Sequence, residues 1–201
     1  MSRLLFSFLL VLPVLAQAPA PAAKKPSPPA PPASAKAAPA DAYPDPSKTP
    51  GWPNPDITQD QIAQNICSKT WTTSTIRPTE DYTNKLKLQQ MKDLGLTGKE
   101  ADYEEDHFIS LEIGGNPSDP RNLWPEPWNL KVGANDYGAH TKDFVENFLH
   151  DEVCFSVPNH KVSSGDKYPA KTSITLVQAQ QIITQDWYAC FQKMQAGQPC
   201  K

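Results

Sequence analysis

The chain has few cysteines, no excess of positive charge and no apolar run long enough to span a membrane. It has four cysteines among 201 residues and no C-x-x-C pair, which argues against a zinc site built from all four of them. Its formal charge is −3, so it lacks the positive excess of proteins that bind nucleic acid tightly and non-specifically. Its one long apolar run is shorter than the roughly 20 residues that span a bilayer. No internal repeats occur.

The first 18 residues have the pattern of a secretory signal. Arg3 supplies the positive start, Leu4–Leu15 the apolar centre and Ala16–Ala18 the small-residue cleavage site. A membrane anchor is the rival interpretation, but the apolar run is short for one. We therefore predict a secreted or periplasmic protein with no stable membrane insertion after signal cleavage.

Residues 19–50 are rich in proline, alanine, serine and lysine, and they contain hardly any core-forming side chain. This composition predicts an extended, solvated linker. Its lysines could make weak contact with the anionic cell envelope. The remaining residues, 51–201, suffice for one domain with a core. They contain 14 Lys and Arg against 20 Asp and Glu, so the domain is acidic as a whole and a basic surface could only be a local groove.

All four cysteines lie in this domain, and an even number in an exported chain indicates disulfides. Three pairings are possible. We favour Cys67–Cys154, which ties the start of the domain to its middle, and Cys190–Cys200, which closes a short loop at the carboxyl end.

Local patterns predict an α+β domain. A helix is expected near 81–94 and ends at Gly95, and a capping box at Thr58 predicts a short helix to about residue 66. A hairpin is expected from strands near 103–113 and 122–124. A long helix follows from 135 or 136 to about 153 with Phe144 in its apolar stripe, and a final helix starts after the capping box at Thr175.

The hairpin carries the residues best suited to chemistry. Asp106 and His107 are adjacent, Gly114-Gly115 follows, and Asn122 opens the second strand. A carboxylate suits a hard cation, a neutral imidazole can accept a proton from water, and a carboxamide can orient the imidazole or hold the backbone around it. On the following helix, Glu146 and His150 are one turn apart and could be two further metal ligands.

Asp106-His107, Leu111, Gly114-Gly115 and Asn122-Leu123 resemble the HNH nuclease superfamily, whose core is a β-hairpin and a helix around one metal, the ββα-metal fold. More narrowly, residues from about 50 to 187 resemble small exported bacterial HNH-like proteins. Their signatures are matched here at Ile66-Cys67, Arg77-Pro78, Tyr82-Thr83-Asn84, Asn122-Leu123-Trp124-Pro125, Lys142-Asp143, Glu146, Leu149-His150 and Val153-Cys154.

The resemblance implies His107 as general base, Asp106 as a metal ligand and Asn122 as the orienting residue. The family's last ligand comes from a histidine or asparagine on the helix; no H-x-x-x-H occurs here, so Glu146 and His150 are the candidates, with Asp143 and His140 in reserve. A ββα-metal core with additional flanking helices, stapled by disulfides, is the expected fold.

The expected function is hydrolysis of DNA or RNA by an enzyme with one divalent ion, Mg²⁺, Mn²⁺ or Zn²⁺. Arg121 is a candidate phosphate-binding residue because its fork suits phosphate, although a surface ion pair with Asp119 or Glu126 is an equal alternative. The alternative function is a non-catalytic exported module that binds cell-wall polymer or a partner protein on an HNH-like scaffold.

Overall fold

The structure is a computed structural model that describes residues 39–165, 168–170 and 172–200, and these form an α+β fold. The predicted signal peptide and residues 19–38 of the predicted linker lie outside the described residues. Short 3₁₀ turns connect the main elements, which are α1 (Glu80–Leu94), β1 (Tyr103–His107), β2 (Leu123–Pro127), β3 (Lys131–Val132), β4 (Asn135–Asp136), α2 (Ala139–Cys154) and α3 (Leu176–Gln195).

Helix α1 spans nearly the predicted range and ends before Gly95 as predicted, and Thr79 is its amino-terminal cap. The side chain of Thr79 accepts a hydrogen bond from the backbone N–H of Tyr82, which satisfies one free donor of the first turn. Gly95 adopts the left-handed conformation with φ of 67° and donates its N–H to the last turn. The helix predicted from Thr58 is wrong. The Thr58 hydroxyl contacts the Gln61 side chain rather than a backbone N–H, and only one 3₁₀ turn forms there, Gln59–Gln61.

Strands β1 and β2 form the predicted hairpin, but with different bounds. They are antiparallel, and His107 lies opposite Leu123 and Asp106 opposite Trp124. The first strand ends at His107 because Ser110 caps a 3₁₀ turn over Leu111–Ile113. The second continues past Pro125, since a strand with one neighbour leaves its other edge free of ladder bonds and tolerates proline there.

Helices α2 and α3 pack against each other and enclose most of the core. The residues predicted to begin α2 instead form β4, which pairs with β3, and the helix starts at Ala139. Its apolar stripe is buried as predicted apart from Phe144, which is 42% exposed. Helix α3 has the predicted capping box between Thr175 and Gln178, and its predicted apolar face is buried along its whole length.

Both predicted disulfides are confirmed. Cys67–Cys154 joins the amino-terminal turns to the end of α2 across 87 positions of sequence, with 5.4 Å between the Cα atoms. Cys190–Cys200 closes the end of α3, with 4.7 Å between the Cα atoms. Two disulfides in a small domain indicate folding in a non-reducing compartment.

The last part of the predicted linker belongs to the folded unit. Ala42 is fully buried, and its carbonyl accepts a hydrogen bond of 3.2 Å from the indole of Trp187. The Tyr43 hydroxyl donates to Asp186 at 2.9 Å. The boundary predicted at residue 50 is therefore wrong, because the aromatic, alanine and proline surface of 39–50 packs on α3 and the hairpin. Within the described residues, no helix has the length and apolarity needed to cross a membrane.

Candidate active site

Asp106 and His107 line the same cleft, which has a volume of about 170 Å³. Alternation along a strand would send neighbouring side chains to opposite faces. Both residues nevertheless border the cleft, and they lie at the end of β1, after which the chain bends. The cleft is therefore built at the exit of the hairpin's first strand.

The imidazole of His107 is held in one orientation by the loop between the strands. Its Nε2 lies 2.8 Å from the carbonyl oxygen of Pro117. A carbonyl only accepts hydrogen bonds, so Nε2 carries the proton and Nδ1 has the free lone pair of the neutral ring. Burial lowers the pKa of His107, although the Pro117 bond and the nearby Asp106 carboxylate act in the opposite direction. The ring is thus neutral and basic near pH 7.

Asn122 positions the backbone beside His107, and none of its side-chain hydrogen bonds goes to the imidazole. Its Oδ1 accepts from the N–H groups of Ile109 at 2.9 Å and Trp52 at 3.1 Å. Its Nδ2 donates to the carbonyl oxygens of Ile109 and Asn116, both at 3.0 Å. This is the second of the two roles that the sequence left open for the amide, holding the backbone rather than the ring.

Gly115 allows the loop to close against Asn122. A Cβ at this position would lie 1.7 Å from the carbonyl oxygen of Ile109 and 2.8 Å from Nδ2 of Asn122. No side chain fits in that space, so the second glycine of the Gly-Gly pair is required by the close approach of two backbone segments.

An ammonium group occupies the space between the hairpin and α2. Nζ of Lys142 lies 2.6 Å from Oδ2 of Asp106 and 3.1 Å from the carbonyl oxygen of His107, and it also bonds the Glu146 carboxylate. Glu126 of β2 is 3.9 Å away. Lys142, which was not predicted as a site residue, is therefore the centre of a buried cluster with three carboxyl groups.

The pKa values of the carboxyl groups in this cluster depend on their burial and on the ammonium of Lys142. Burial would raise the pKa of Asp106, but Lys142 outweighs it and holds that pKa below its usual range. Burial raises the pKa of Glu146 to about 8 and that of Glu126 well above its usual range, because one ammonium cannot neutralise three carboxylates. The pKa of Lys142 is raised despite its burial, chiefly by Asp106 and then Glu146.

The cleft also holds residues that sequence reasoning missed or placed in reserve. Glu112 comes from the 3₁₀ turn, Asp143 and Asn147 from α2, and Arg77 from the loop before α1. The Arg77 side chain has no hydrogen-bond or ion-pair partner within the described ranges. Only its place in the Arg77-Pro78 signature marked it in the sequence, because nothing local indicates that this loop reaches the cleft.

His150 lies away from the cleft. Its Nε2 is 2.9 Å from the carbonyl oxygen of Ile66, and its Nδ1 is 3.2 Å from Asp151. Glu146 and His150 are one turn apart on α2, but Glu146 bonds Lys142 of the same helix at the cleft, whereas His150 bonds the Ile66 carbonyl, so the predicted ligand pair is not formed. His150 ties α2 to the turn that carries Cys67.

Arg121 also lies outside the cleft. It forms an ion pair with Asp119 at 2.5 Å and stacks on the ring of Trp52 at 3.5 Å from the centroid. Of the two roles left open by the sequence, the structure shows the ion pair. Among the described residues, no three His, Cys, Asp or Glu side chains are arranged to hold a metal ion.

Comparisons of the chain with protein-family models, with curated proteins and with solved structures find no match. The chemistry of the cleft is therefore the basis on which function is inferred.

Proposed function

We propose that this chain is an exported, metal-dependent nuclease of HNH type that hydrolyses phosphodiester bonds in DNA or RNA in the periplasm or outside the cell. The observation that carries the proposal is the imidazole of His107, fixed through Nε2, at the wall of a cleft that also contains carboxylates and an unpaired guanidinium. In this proposal β1, β2 and α2 correspond to the ββα-metal core.

His107 acts as the general base. The bond from Nε2 to Pro117 fixes the tautomer, so Nδ1 accepts the proton when water attacks phosphorus. The lowered pKa keeps the ring unprotonated near neutral pH. Asn122 contributes indirectly, because its two bonds to Ile109 fix the chain that leaves the strand after His107.

Arg77 takes the phosphate-binding role that the sequence assigned to Arg121. A guanidinium fork matches two phosphate oxygens. The Arg77 fork is exposed and lines the cleft, whereas the Arg121 fork is engaged by Asp119. A cleft lined by several carboxylates would otherwise repel a phosphodiester.

The cleft is lined by carboxylates, the oxygen donors that a hard divalent cation takes. No three of them are grouped around one point in the described part of the chain, so Asp106, Asp143 and Glu146 would have to move closer together to hold the ion. Glu112 has a buried carboxylate oxygen without a hydrogen-bond partner among the described residues. Oxygen donors favour Mg²⁺ or Mn²⁺ over Zn²⁺, particularly since His150 lies elsewhere. When bound, such an ion neutralises charge that builds on the phosphate. It would share Asp106 and Glu146 with Lys142.

A digestion assay on the full chain tests the proposal. Plasmid DNA and a structured RNA are incubated with Mg²⁺, Mn²⁺ or Zn²⁺, and with a chelator. We expect metal-dependent cleavage that falls by about 10²–10⁴-fold in His107→Ala, the usual contribution of a general base. His160→Ala is the matched control, since His160 contacts only the Val157 carbonyl and lies outside the cleft. Full cleavage by folded His107→Ala, with metal present, would refute the assignment.

A second pair of variants tests the phosphate-binding role. Arg77→Ala should raise KM and lower kcat/KM, whereas Arg121→Ala should leave both nearly unchanged. A larger effect of Arg121→Ala than of Arg77→Ala would assign phosphate binding to Arg121 and remove Arg77 from the mechanism.

A non-catalytic exported binding module is the second candidate function, and one observation favours it. The ammonium of Lys142 already neutralises Asp106 and contacts Glu146, so the cluster is held together without a divalent ion. Calorimetric titration of the full chain with Mn²⁺ separates the two functions. No saturable binding of Mn²⁺, together with no cleavage of either nucleic acid, would establish the non-catalytic scaffold.

A further inference from the structure

A second concave surface lies apart from the active-site cleft. It consists of a large lobe of about 810 Å³ and a smaller lobe of about 270 Å³. The lobes adjoin each other along five shared lining residues, and together they are called the groove: Pro44, Asp45, Leu94, Trp124 and Pro125. None of its lining residues lines the active-site cleft.

The groove runs between the packed segment 39–50, the end of α1 and the hairpin. Its walls combine prolines with aromatic rings, including Tyr43, Tyr103 and Trp124. Pro39 at one end has φ of −55° and ψ of 145°, the values of polyproline II. Segment 39–50 does not continue in this conformation, because a 3₁₀ turn follows over Ala40–Ala42 and a further turn over 46–48.

Two residues that line the smaller lobe each have a buried polar atom without a hydrogen-bond partner among the described residues. The indole N–H of Trp124 and the side-chain oxygen of Gln90 make no hydrogen bond to any described residue. Trp124 is only 5% exposed, so its donor is shielded from bulk water. A buried donor without an acceptor costs free energy, and a carbonyl group seated in this lobe would supply the acceptor.

The rim of the groove is acidic. Asp41, Asp45 and Asp102 line the large lobe, and Asp93 joins Asp45 in the smaller one. Lys48 is the one basic side chain among the described lining residues. An apolar floor with an acidic rim is complementary to an apolar ligand that carries positive charge.

We propose that this groove binds a proline-rich peptide segment that carries lysine, presented by a partner protein. Polyproline II segments bind aromatic-lined grooves, and they lose little conformational entropy because they are extended before binding. Their backbone carbonyls have no internal partners, so one is free to accept from Trp124. The lysines meet the aspartates of the rim. The proposal is independent of the nuclease assignment.

The test is a titration of the full chain with a short synthetic peptide of Pro-Pro-Lys repeats, followed by calorimetry and by tryptophan fluorescence. We expect saturable binding that weakens with salt. A control peptide with glycine in place of each proline should bind at least tenfold more weakly, since it is not extended in advance. Equal binding of the two peptides would overturn the proposed ligand class, as would absence of saturable binding of the proline peptide.

Two leucines of α1 provide a matched pair of variants. Leu94 lines both lobes and is 39% exposed, whereas Leu88 lines neither and is 52% exposed. Leu94→Lys should weaken peptide binding at least tenfold, and Leu88→Lys should not change it. Wild-type affinity in Leu94→Lys would overturn the location. Asp41→Lys at the exposed rim gives a second variant, which should weaken binding and reduce its salt dependence.

The chain has its own proline- and lysine-containing stretch at residues 19–38, which could compete for the groove. The titration is therefore repeated with the prolines of that stretch replaced by serine. Tighter binding of the synthetic peptide to this variant would confirm the groove's ligand class and identify the stretch as a competitor. Unchanged binding would leave the partner's peptide as the occupant.

Discussion

Asn122 and Ile109 form a reciprocal pair: the carboxamide of Asn122 accepts from the Ile109 N–H at 2.9 Å and donates to the Ile109 carbonyl at 3.0 Å. This fully buried side chain thereby makes the two backbone hydrogen bonds that a neighbouring strand would make, at the point where β1 has ended. The chain after His107 is fixed by this pair, so the orientation of the imidazole depends on an amide that makes no hydrogen bond to it.

Asn122→Ala should lower the free energy of unfolding by about 3 kcal/mol. The change leaves two N–H groups and two carbonyls without their partner in a buried loop, and each such loss costs about 1–3 kcal/mol before relaxation. Urea denaturation measures the effect, and Asn84→Ala on the exposed side of α1 is the control. A loss as small as that of the control would show that the loop does not depend on Asn122.

Lys142→Met should destabilise the fold by about 3–5 kcal/mol at pH 8, because it leaves buried carboxyl groups without their cation. The low pKa of Asp106 is maintained by Lys142, so the variant should regain stability as the pH falls and its carboxyls take up protons. Urea denaturation at pH 5 and pH 8 measures both effects.

The control for Lys142→Met is Lys85→Met, whose ion pair with Asp81 is largely exposed. An exposed pair contributes little, so this control should lose less than about 1 kcal/mol at either pH. Equal losses in the two variants, or a loss in Lys142→Met that does not vary with pH, would contradict the account of the cluster.

Glu105→Gln should stabilise the protein at alkaline pH. Glu105 is buried, its oxygens lack partners within the described ranges, and burial raises its pKa from 4.5 to about 8. A raised folded-state pKa contributes stability that is fully present below pH 4.5 and lost as the pH rises toward 8. The variant should therefore equal wild type at low pH and exceed it by at least about 1 kcal/mol at pH 8.

Denaturation curves across this pH range check the Glu105 prediction. Asp60→Asn, at an exposed position, is the control and should run parallel to wild type. A Glu105→Gln curve parallel to wild type would show that Glu105 is not the origin of the alkaline loss.

The two disulfides should differ in their contribution to stability. Cys67–Cys154 closes a loop of 87 positions, for which loop entropy gives about 4–5 kcal/mol, whereas Cys190–Cys200 closes one of 10, for which it gives about 2–3 kcal/mol. Paired Cys→Ser variants, compared by urea denaturation, measure each contribution. A greater loss on removing the shorter loop would show that native packing rather than chain entropy sets the order.

Much of the secondary structure was predictable because its signals are local. The end of α1 follows from Gly95, and the start of α3 from Thr175 with Gln178; in each case the partners are at most four residues apart. The disulfide pairing was predictable because four cysteines allow few combinations. The start of α2 was not predictable, because the residues expected to begin the helix form the β3–β4 hairpin. The end of β1 was not predictable either, because the turn capped by Ser110 interrupts the strand pattern.

The candidate site was predictable in part. The sequence brought Asp106, His107 and Glu146 to attention, and the structure places all three at one cleft. It also suggested His150 and Arg121, which bind the Ile66 carbonyl and Asp119 instead. Helix periodicity specifies the side of a helix on which a residue lies, but it does not specify which distant segment packs there.

The sequence by itself determined the local parts of this protein: the helix caps, the Gly-Gly turn, the paired cysteines and the acid-histidine doublet, each specified by residues close in the chain or few in number. Only the tertiary structure decided that Lys142 sits among the carboxyls, that Arg77 reaches the cleft and that segment 39–50 walls a second groove. These placements depend on contacts between segments tens of residues apart, whose relative position is fixed by burial of the whole core.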